Sequence, residues 1–271
     1  MNPEARARLA GIAKAALVAL AVAWIAVPLA VSYLYAFSSP EDYYDPGKVV
    51  PTRFTLEQLR ELIALGAGRA IVNSIIVALA TVALSFALGL PAGYAIARYN
   101  FRGRDTVKLA LVATRMFPVV VIAVPLLVLY IRVGLSDSLL GVALAHTSMA
   151  LPFVVLITSS IFAGIPRDLE EAGLVFGLDG KGVFLKITLP MAAPGLAAAA
   201  IFAFLLSWNE VFVASILTLT NRTLPAFVLV QAQAATDLIK FAATILIVTP
   251  ALVFVALARR YLVTMWGVTL R

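Results

Sequence analysis

Of 271 residues, 62% are hydrophobic and only 13% are charged, far more apolar than a soluble globular domain, so the natural unit is a bundle of membrane-spanning helices. Zero cysteines and a single histidine, His146, exclude disulfides and thiolate zinc and leave little room for histidine metal sites or proton relays. A formal charge of +7 would suit nucleic acid or anionic lipid, but its distribution along the chain assigns it elsewhere.

A bilayer core needs roughly 20 apolar helical residues. Such stretches fall at 15–37, 70–97, 107–131, 138–163, 194–218 and 241–258, giving an all-α polytopic bundle of about six transmembrane helices, read as one transmembrane domain over 1–271. Arg6, Arg8 and Lys14 precede the first stretch as in a signal peptide. Its apolar run of about 22 residues exceeds the roughly 7–15 of a cleavable signal, so it reads as a retained span. With the N-terminus inside, the inner segments 1–14, 98–108, 167–186 and 259–271 hold 13 Lys+Arg against 6 Asp+Glu. The outer segments 38–69, 132–137 and 220–240 hold 7 of each. Lys and Arg in short loops set orientation, so both termini are expected inside, and the positive excess is a topology signal rather than a nucleic-acid footprint.

The first outer segment is broken by Pro40, Pro46, Gly47 and Pro51. Thr55-Leu-Glu-Gln58 then reads as a capping box opening a short helix with Leu56, Leu59, Leu62 and Ile63 on one face; a surface helix and a partner contact are both open. The inner segment 165–190 carries more. Pro166 sits at a helix start, with Asp168, Glu170 and Glu171 in the first turn complementing the dipole. Leu169, Ala172, Leu174 and Val175 make an apolar face, and Gly177 ends the helix. A turn at 178–182 leads to a second short helix reaching Ile187 before Pro190. A helix–glycine–helix elbow between spans four and five has the shape of a docking lever.

Glu171-Ala172-Gly173, three residues, Gly177, nine residues, then Ile187-Thr-Leu189-Pro190 resembles the EAA loop of permease subunits in binding-protein-dependent ABC importers, with every spacing matched. Gly173 replaces the second alanine, a change expected to soften the helix, and Phe176 stands where sugar permeases usually carry Asp. Gly93-Tyr-Ala-Ile-Ala-Arg98, Met116-Phe-Pro118, Leu151-Pro152-Phe153 and Ser207-Trp-Asn-Glu210 are similar to the second permease subunit of maltose-type sugar importers. The tail Met265-Trp-Gly-Val-Thr-Leu-Arg271 departs from that family's usual ending.

The resemblance implies a type I importer permease fold. It also implies two partner ATPase subunits holding ATP and Mg²⁺, a second permease subunit, an extracytoplasmic solute-binding protein and surrounding lipid. No cofactor, metal or nucleic acid is expected on this chain, which lacks a Gly-x-x-x-x-Gly-Lys-Ser/Thr loop, and hydrolysis is expected in the partners. The ATPase-coupling residues carried over are Glu170, Glu171, Ala172, Gly173, Leu174, Val175, Gly177, Ile187, Leu189 and Pro190. Trp208, Asn209 and Glu210 are candidates for a solute path or gate, with helix packing as the other reading. Gln231, Ala232 and Gln233 are candidates, by position only, for contact with the binding protein.

Arg115 and Glu210 are charges within spans, a costly placement that suggests function. At 1.5 Å per residue from the inner ends they would lie at depths of roughly 12 and 28 Å, which argues against a direct pair. His146, Asn73, Ser74, Ser85 and Ser207 read as interhelical hydrogen-bonding groups. Rival readings are an ABC permease for a non-sugar solute, a proton-coupled secondary transporter using Glu210 and His146, and a structural membrane subunit. The second lacks internal repeats, and neither of the last two gives the elbow a task. The topology is checked with an impermeant maleimide on sealed cells: a cysteine at Asp45 should label from outside and one at Gly180 should not.

Overall fold

The computed structural model describes residues 3–231 and 235–265, with side chains placed between 11 and 256. Its helices are α1 (Pro3–Ala36), α2 (Pro40–Tyr43), α3 (Glu57–Ala64), α4 (Ala67–Arg98), α5 (Arg104–Ala113), α6 (Val119–Arg132), α7 (Leu139–Ala163), α8 (Arg167–Val175), α9 (Gly180–Val183), α10 (Leu189–Trp208), α11 (Phe212–Leu217), α12 (Leu224–Gln231) and α13 (Asp237–Met265). Among the described residues the extended structure is one isolated bridge, Ser38 to Phe54. Five helical stretches are long and apolar enough to cross a membrane, and a bent pair makes a sixth, as the hydropathy pattern predicts.

The chain divides into two compact units, residues up to 66 with those up to 248 after the outer loop, and 67–231 with 249 onwards. In the first unit, Asp42 organises the segment after α1. Its carboxylate accepts from Lys48 Nζ at 2.5 Å, from Thr52 N and Oγ1 at 2.7 and 2.8 Å, and from Arg53 N at 2.8 Å. Lys48 foremost, with the hydrogen bonds from Thr52 and Arg53, holds that carboxyl well below the usual range. The capping box does not form: Thr55 Oγ1 accepts from Glu57 N, while the Gln58 amide donates to the Ser38 carbonyl. Of the expected apolar face only Leu62 is buried; Leu56 and Ile63 are exposed.

The second unit is built on α4, α7 and α10. Gly89 and Gly93, one turn apart, let α7 approach closely. A Cβ added at Gly89 would stand 2.7 Å from Val154 Cγ1, and one at Gly93 would stand 2.1 Å from Thr158 Oγ1 and 3.0 Å from Ser159 N. Thr158 Oγ1 in turn donates to the Val154 carbonyl at 2.7 Å and contacts the Gly89 carbonyl at 3.2 Å. Small residues at this spacing are how helices pack without a hydrophobic driving force in lipid. At one end Tyr94, Phe162 and Phe184 pack edge-on; at the other, Phe204 stacks on Trp208 and on Phe254.

Two expected spans are corrected. The third is not one straight helix: two limbs, Arg104–Met116 and Val119–Arg132, meet at 88°. Phe117 and Pro118 are both extended, with ψ of 127°. Pro118 lacks the amide that would continue the helix and forces the residue before it out of the helical region. The fifth begins earlier than 194, running from Gly180 to Trp208, and stops short of 218, because α11 is a separate helix. The depth estimates for Arg115 and Glu210, which assumed straight spans, therefore do not hold.

The glycine packing gives a direct test. Gly93→Ala would meet a hydroxyl already held by hydrogen bonds and a backbone nitrogen that cannot move alone, so α4 and α7 must separate. Overpacking of this kind costs about 1–3 kcal/mol. We expect a lower melting temperature for the detergent-solubilised complex, with no shift for Gly68→Ala, whose added Cβ has open space.

Candidate functional site

The elbow is closed by its backbone. Helix α8 ends at Val175, and Gly177 adopts φ of +87°, a left-handed conformation that glycine enters without penalty. Gly177 N donates to the Leu174 carbonyl and Leu178 N to the Gly173 carbonyl, each at 3.0 Å, the double closure of a Schellman motif. Asp179 then caps α9 by accepting from Gly182 N at 2.8 Å. The expected separate second helix is absent. Helix α9 passes through a π-turn at Phe184–Thr188 straight into α10, so the second arm of the elbow is the foot of span five. The wide turn, with Leu189 N–H bonded to the Phe184 carbonyl, comes just before Pro190, whose missing amide would otherwise break a regular helix.

Gly173 also behaves differently from expectation. Its added Cβ would lie 2.5 Å from Ile187 Cδ1 and 3.2 Å from Val183 Cγ2. Glycine here brings the two arms together rather than loosening α8. Leu189 is partly buried beside them and Pro190 is exposed.

The resemblance implies the same coupling role for Glu170 and Glu171. The structure separates them. Glu171 and Ala172 are exposed, whereas Glu170 is buried beneath α8. Its Oε1 accepts from Arg98 Nη2 at 2.7 Å, Arg98 Nε at 3.0 Å and Thr188 Oγ1 at 2.8 Å, and its Oε2 accepts from Tyr94 Oη at 3.0 Å. Arg98 Nη2 also donates to the Ile165 carbonyl, and Arg167 donates back to the Arg98 carbonyl. One carboxylate thus ties α8 to the end of span two and the foot of span five. Burial pushes the Glu170 carboxyl up, but the bonds from Arg98, Thr188 and Tyr94 outweigh it and hold the group below its ordinary value. Past this anchor, at the C-terminal end of α8, lies an apolar tip: Leu174, Val175 and Phe176 are 52%, 85% and 88% exposed.

A second polar cluster lies where span five stops. Asn209 is exposed and its amide donates to the Leu205 carbonyl, closing α10. Glu210 accepts from Phe212 N, Val213 N and Ala214 N at 2.9–3.0 Å, a carboxylate satisfying the free amides of the α11 N-terminus. Its Oε2 also lies 3.2 Å from His146 Nε2. His146 Nδ1 lies 2.8 Å from Ser207 Oγ, and Ser207 Oγ lies 3.3 Å from Thr81 Oγ1. His146 and Ser207 thus act as interhelical groups, as do Asn73 and Ser74, which bond Arg222 O and Leu224 N. Ser85 is buried without a hydrogen-bond partner. Trp208 is buried and stacked on Phe204 at the end of α10.

The outer connection after α11 is not a free loop over its first half. Asp137, at φ of +50°, accepts from Leu219 N, Thr220 N and Asn221 N at 2.9–3.0 Å and from the Thr220 hydroxyl. Burial raises the Asp137 carboxyl, and these bonds more than reverse it, holding it well below the usual range. Residues 223–227 are buried. Gln231 closes α12; Ala232 and Gln233 lie outside the described residues. Asp137 was legible in the sequence only as a loop charge, and nothing there marked it as a latch.

Removing Glu170 would leave Arg98, whose side chain is 8% exposed, as an uncompensated buried charge, a loss of about 3–5 kcal/mol. Because the Glu170 carboxyl is lowered, its stabilisation is present above the ordinary carboxylate range and disappears as pH falls through the lowered value. Glu170→Gln should therefore lower the melting temperature at pH 7 and flatten its decline on acidification, both read by thermal melts across pH.

Comparison with known proteins follows the same geometry. The family described as binding-protein-dependent transport system inner membrane component matches residues 89–265, which hold the elbow, the whole Glu170 cluster, and His146, Ser207 and Glu210 of the second cluster. The trehalose transport system permease protein SugB of Mycobacterium tuberculosis is 32% identical over 244 residues, covering 87% of this chain and 89% of that protein. The alpha-glucoside transport system permease protein AglG of Rhizobium meliloti is 35% identical over 227 residues, covering 79% of this chain and 59% of that protein. A chain from the crystal structure of a bacterial ABC transporter that imports the acidic polysaccharide alginate superposes with a TM-score of 0.78 at 18% identity, covering 94% and 96% of the two chains, a likeness of fold. The elbow spacing, the broken spans around it and these matches agree, and the chain belongs to the family of multi-pass inner-membrane components of binding-protein-dependent transport systems.

Proposed function

We propose that the chain is a permease subunit of an ATP-driven importer that moves a sugar, of the di- or oligosaccharide class, into the cytoplasm by alternating access. Its elbow at 165–190 would couple to one of two ATPase subunits. The observation that carries this reading is the division of labour in α8. An apolar tip of Leu174, Val175 and Phe176 stands in the open, while the root of the same helix is anchored through Glu170 to two spans. Water cannot satisfy such a tip, and a groove in a partner can. ATP and Mg²⁺ belong to the ATPases, a second permease completes the pathway, and an extracytoplasmic binding protein delivers the solute. ATPase closure then pushes α8, and the anchored spans move with it between two discrete arrangements. The sugar class is carried over from the relatives named above, whose substrates are glycosides. Both termini and the elbow lie in the cytoplasm on this reading.

The test replaces Leu174 and Val175 with Asp, and separately Gly177 with Val, which strains the left-handed turn by about 1–3 kcal/mol. Both variants should insert normally, since neither lies in a span. Both should lose at least tenfold in uptake of whichever labelled disaccharide, neutral or uronate-bearing, the unaltered complex imports, with the ATPase co-purifying poorly or hydrolysing ATP without transport. Near-normal uptake with the ATPase still attached would remove this reading.

A further inference from the structure

The break in span three opens a cavity of about 420 Å³ between α5, α6, α7 and Val213 of α11, within the size range of small-molecule sites. Irregular backbone at membrane depth is tolerated where it is buried in protein or lines a cavity, and Phe117, at the break, lines this one. Most of the wall is apolar, and Arg115 is its one charged member. The Arg115 guanidinium lies 5.3 Å from the Phe153 ring centre, and its Nε is buried without a hydrogen-bond partner. Among the described residues no carboxylate pairs with it. Glu210, three residues from the cavity wall at Val213, already serves His146 and three amides. Thr114 and Ser148, also in the wall, each donate their hydroxyl proton to a carbonyl of their own helix, at Leu111 and Ala145. Only acceptor capacity is left on those two oxygens.

A fixed cation without an anion, beside two acceptors, in a largely apolar cavity, specifies a complementary ligand: an oxyanion on a molecule that carries hydroxyl donors. We propose that this cavity is a solute subsite for a sugar bearing an acidic group, with Arg115 holding the oxyanion and Thr114 and Ser148 accepting from ring hydroxyls. The proposal rests on the sugar-importer reading and narrows it.

The chain has no native cysteine, so Ile122→Cys, in the cavity wall and exposed, gives a single reporter in the assembled complex in nanodiscs. The rate of maleimide labelling of this subunit is measured with methyl glucuronide, methyl glucoside or dihexanoyl-phosphatidylglycerol present. Methyl glucuronide should protect roughly tenfold better than methyl glucoside, the worth of one charge-assisted hydrogen bond. Arg115→Gln should abolish the difference and Arg115→Lys should keep part of it. Equal protection by the two sugars, a difference that survives Arg115→Gln, or protection by the lipid alone would each overturn the subsite; the last assigns Arg115 to a lipid headgroup. The sugar comparison needs no Arg115 variant, so a misfolded mutant does not blunt it. Uptake of a neutral disaccharide with no discrimination at the cavity would leave the importer reading standing and remove this one.

Discussion

Every interruption of a helix inside lipid frees N–H and C=O groups that water cannot reach, and each must find a partner within the chain. Three interruptions in this protein show three solutions. Before Pro190 a π-turn widens the helix so that no regular bond is asked of the proline. After Asn209 a carboxylate, Glu210, takes the freed amides of the next helix. At Phe117–Pro118 the backbone bends by 88° and the gap becomes a cavity. The spans are thus modulated where a permease needs shape, and at two of the three places the cause is a proline, which lacks the amide that would continue a regular helix.

The same economy explains the acidic first turn of α8. Three acids there would ordinarily be read as solvated charges complementing the dipole. The helical repeat puts Glu170 and Glu171 about 100° apart, so they cannot share a face. One turns outward to whatever the elbow meets. The other turns under the helix to Arg98, Tyr94 and Thr188. A bidentate guanidinium–carboxylate pair is directional as well as strong, which suits a joint that must transmit a push without bending.

Hydropathy is enough to place the number of spans, and the Glu171–Gly177–Pro190 spacing is enough to place the elbow and the glycine that ends its first helix. Both signals are local. What stayed hidden depended on which neighbour a residue meets. Arg98 read as an inner-loop cation, and only the fold brings it under Glu170. The four-residue spacing of Gly89 and Gly93 is a visible sign of close helix packing, but the spacing alone does not say that α7 is the helix that meets them. Pro118 breaks the span that carries Arg115 by the ordinary chemistry of proline, whereas the position of Glu210 follows from where span five begins and stops. The stacking of Trp208 on Phe204 is likewise a matter of packing that no spacing reveals.

The two polar clusters bear on each other through geometry. The inner one joins Arg98 of α4, the Ile165 carbonyl just past α7, Glu170, and Thr188 at the foot of α10. The outer one joins Thr81 of α4, His146 of α7, and Ser207 at the end of α10, and extends to Glu210. Along each helix the two clusters are 17 to 19 residues apart, or roughly 26–28 Å at 1.5 Å per residue. The same three helices are therefore clasped at both ends, with glycine-mediated contact between α4 and α7 in the middle. A body held in this way resists internal shear, because sliding one helix would break charge-assisted bonds at one end and buried hydroxyl bonds at the other. On the proposed mechanism, a push received at α8 is not dissipated in the elbow. It arrives at Glu210, which holds the N-terminus of α11, and α11 borders the cavity that contains Arg115. Coupling between an ATPase groove and a solute site then needs no flexible relay, only a three-helix body with a polar clasp at each end.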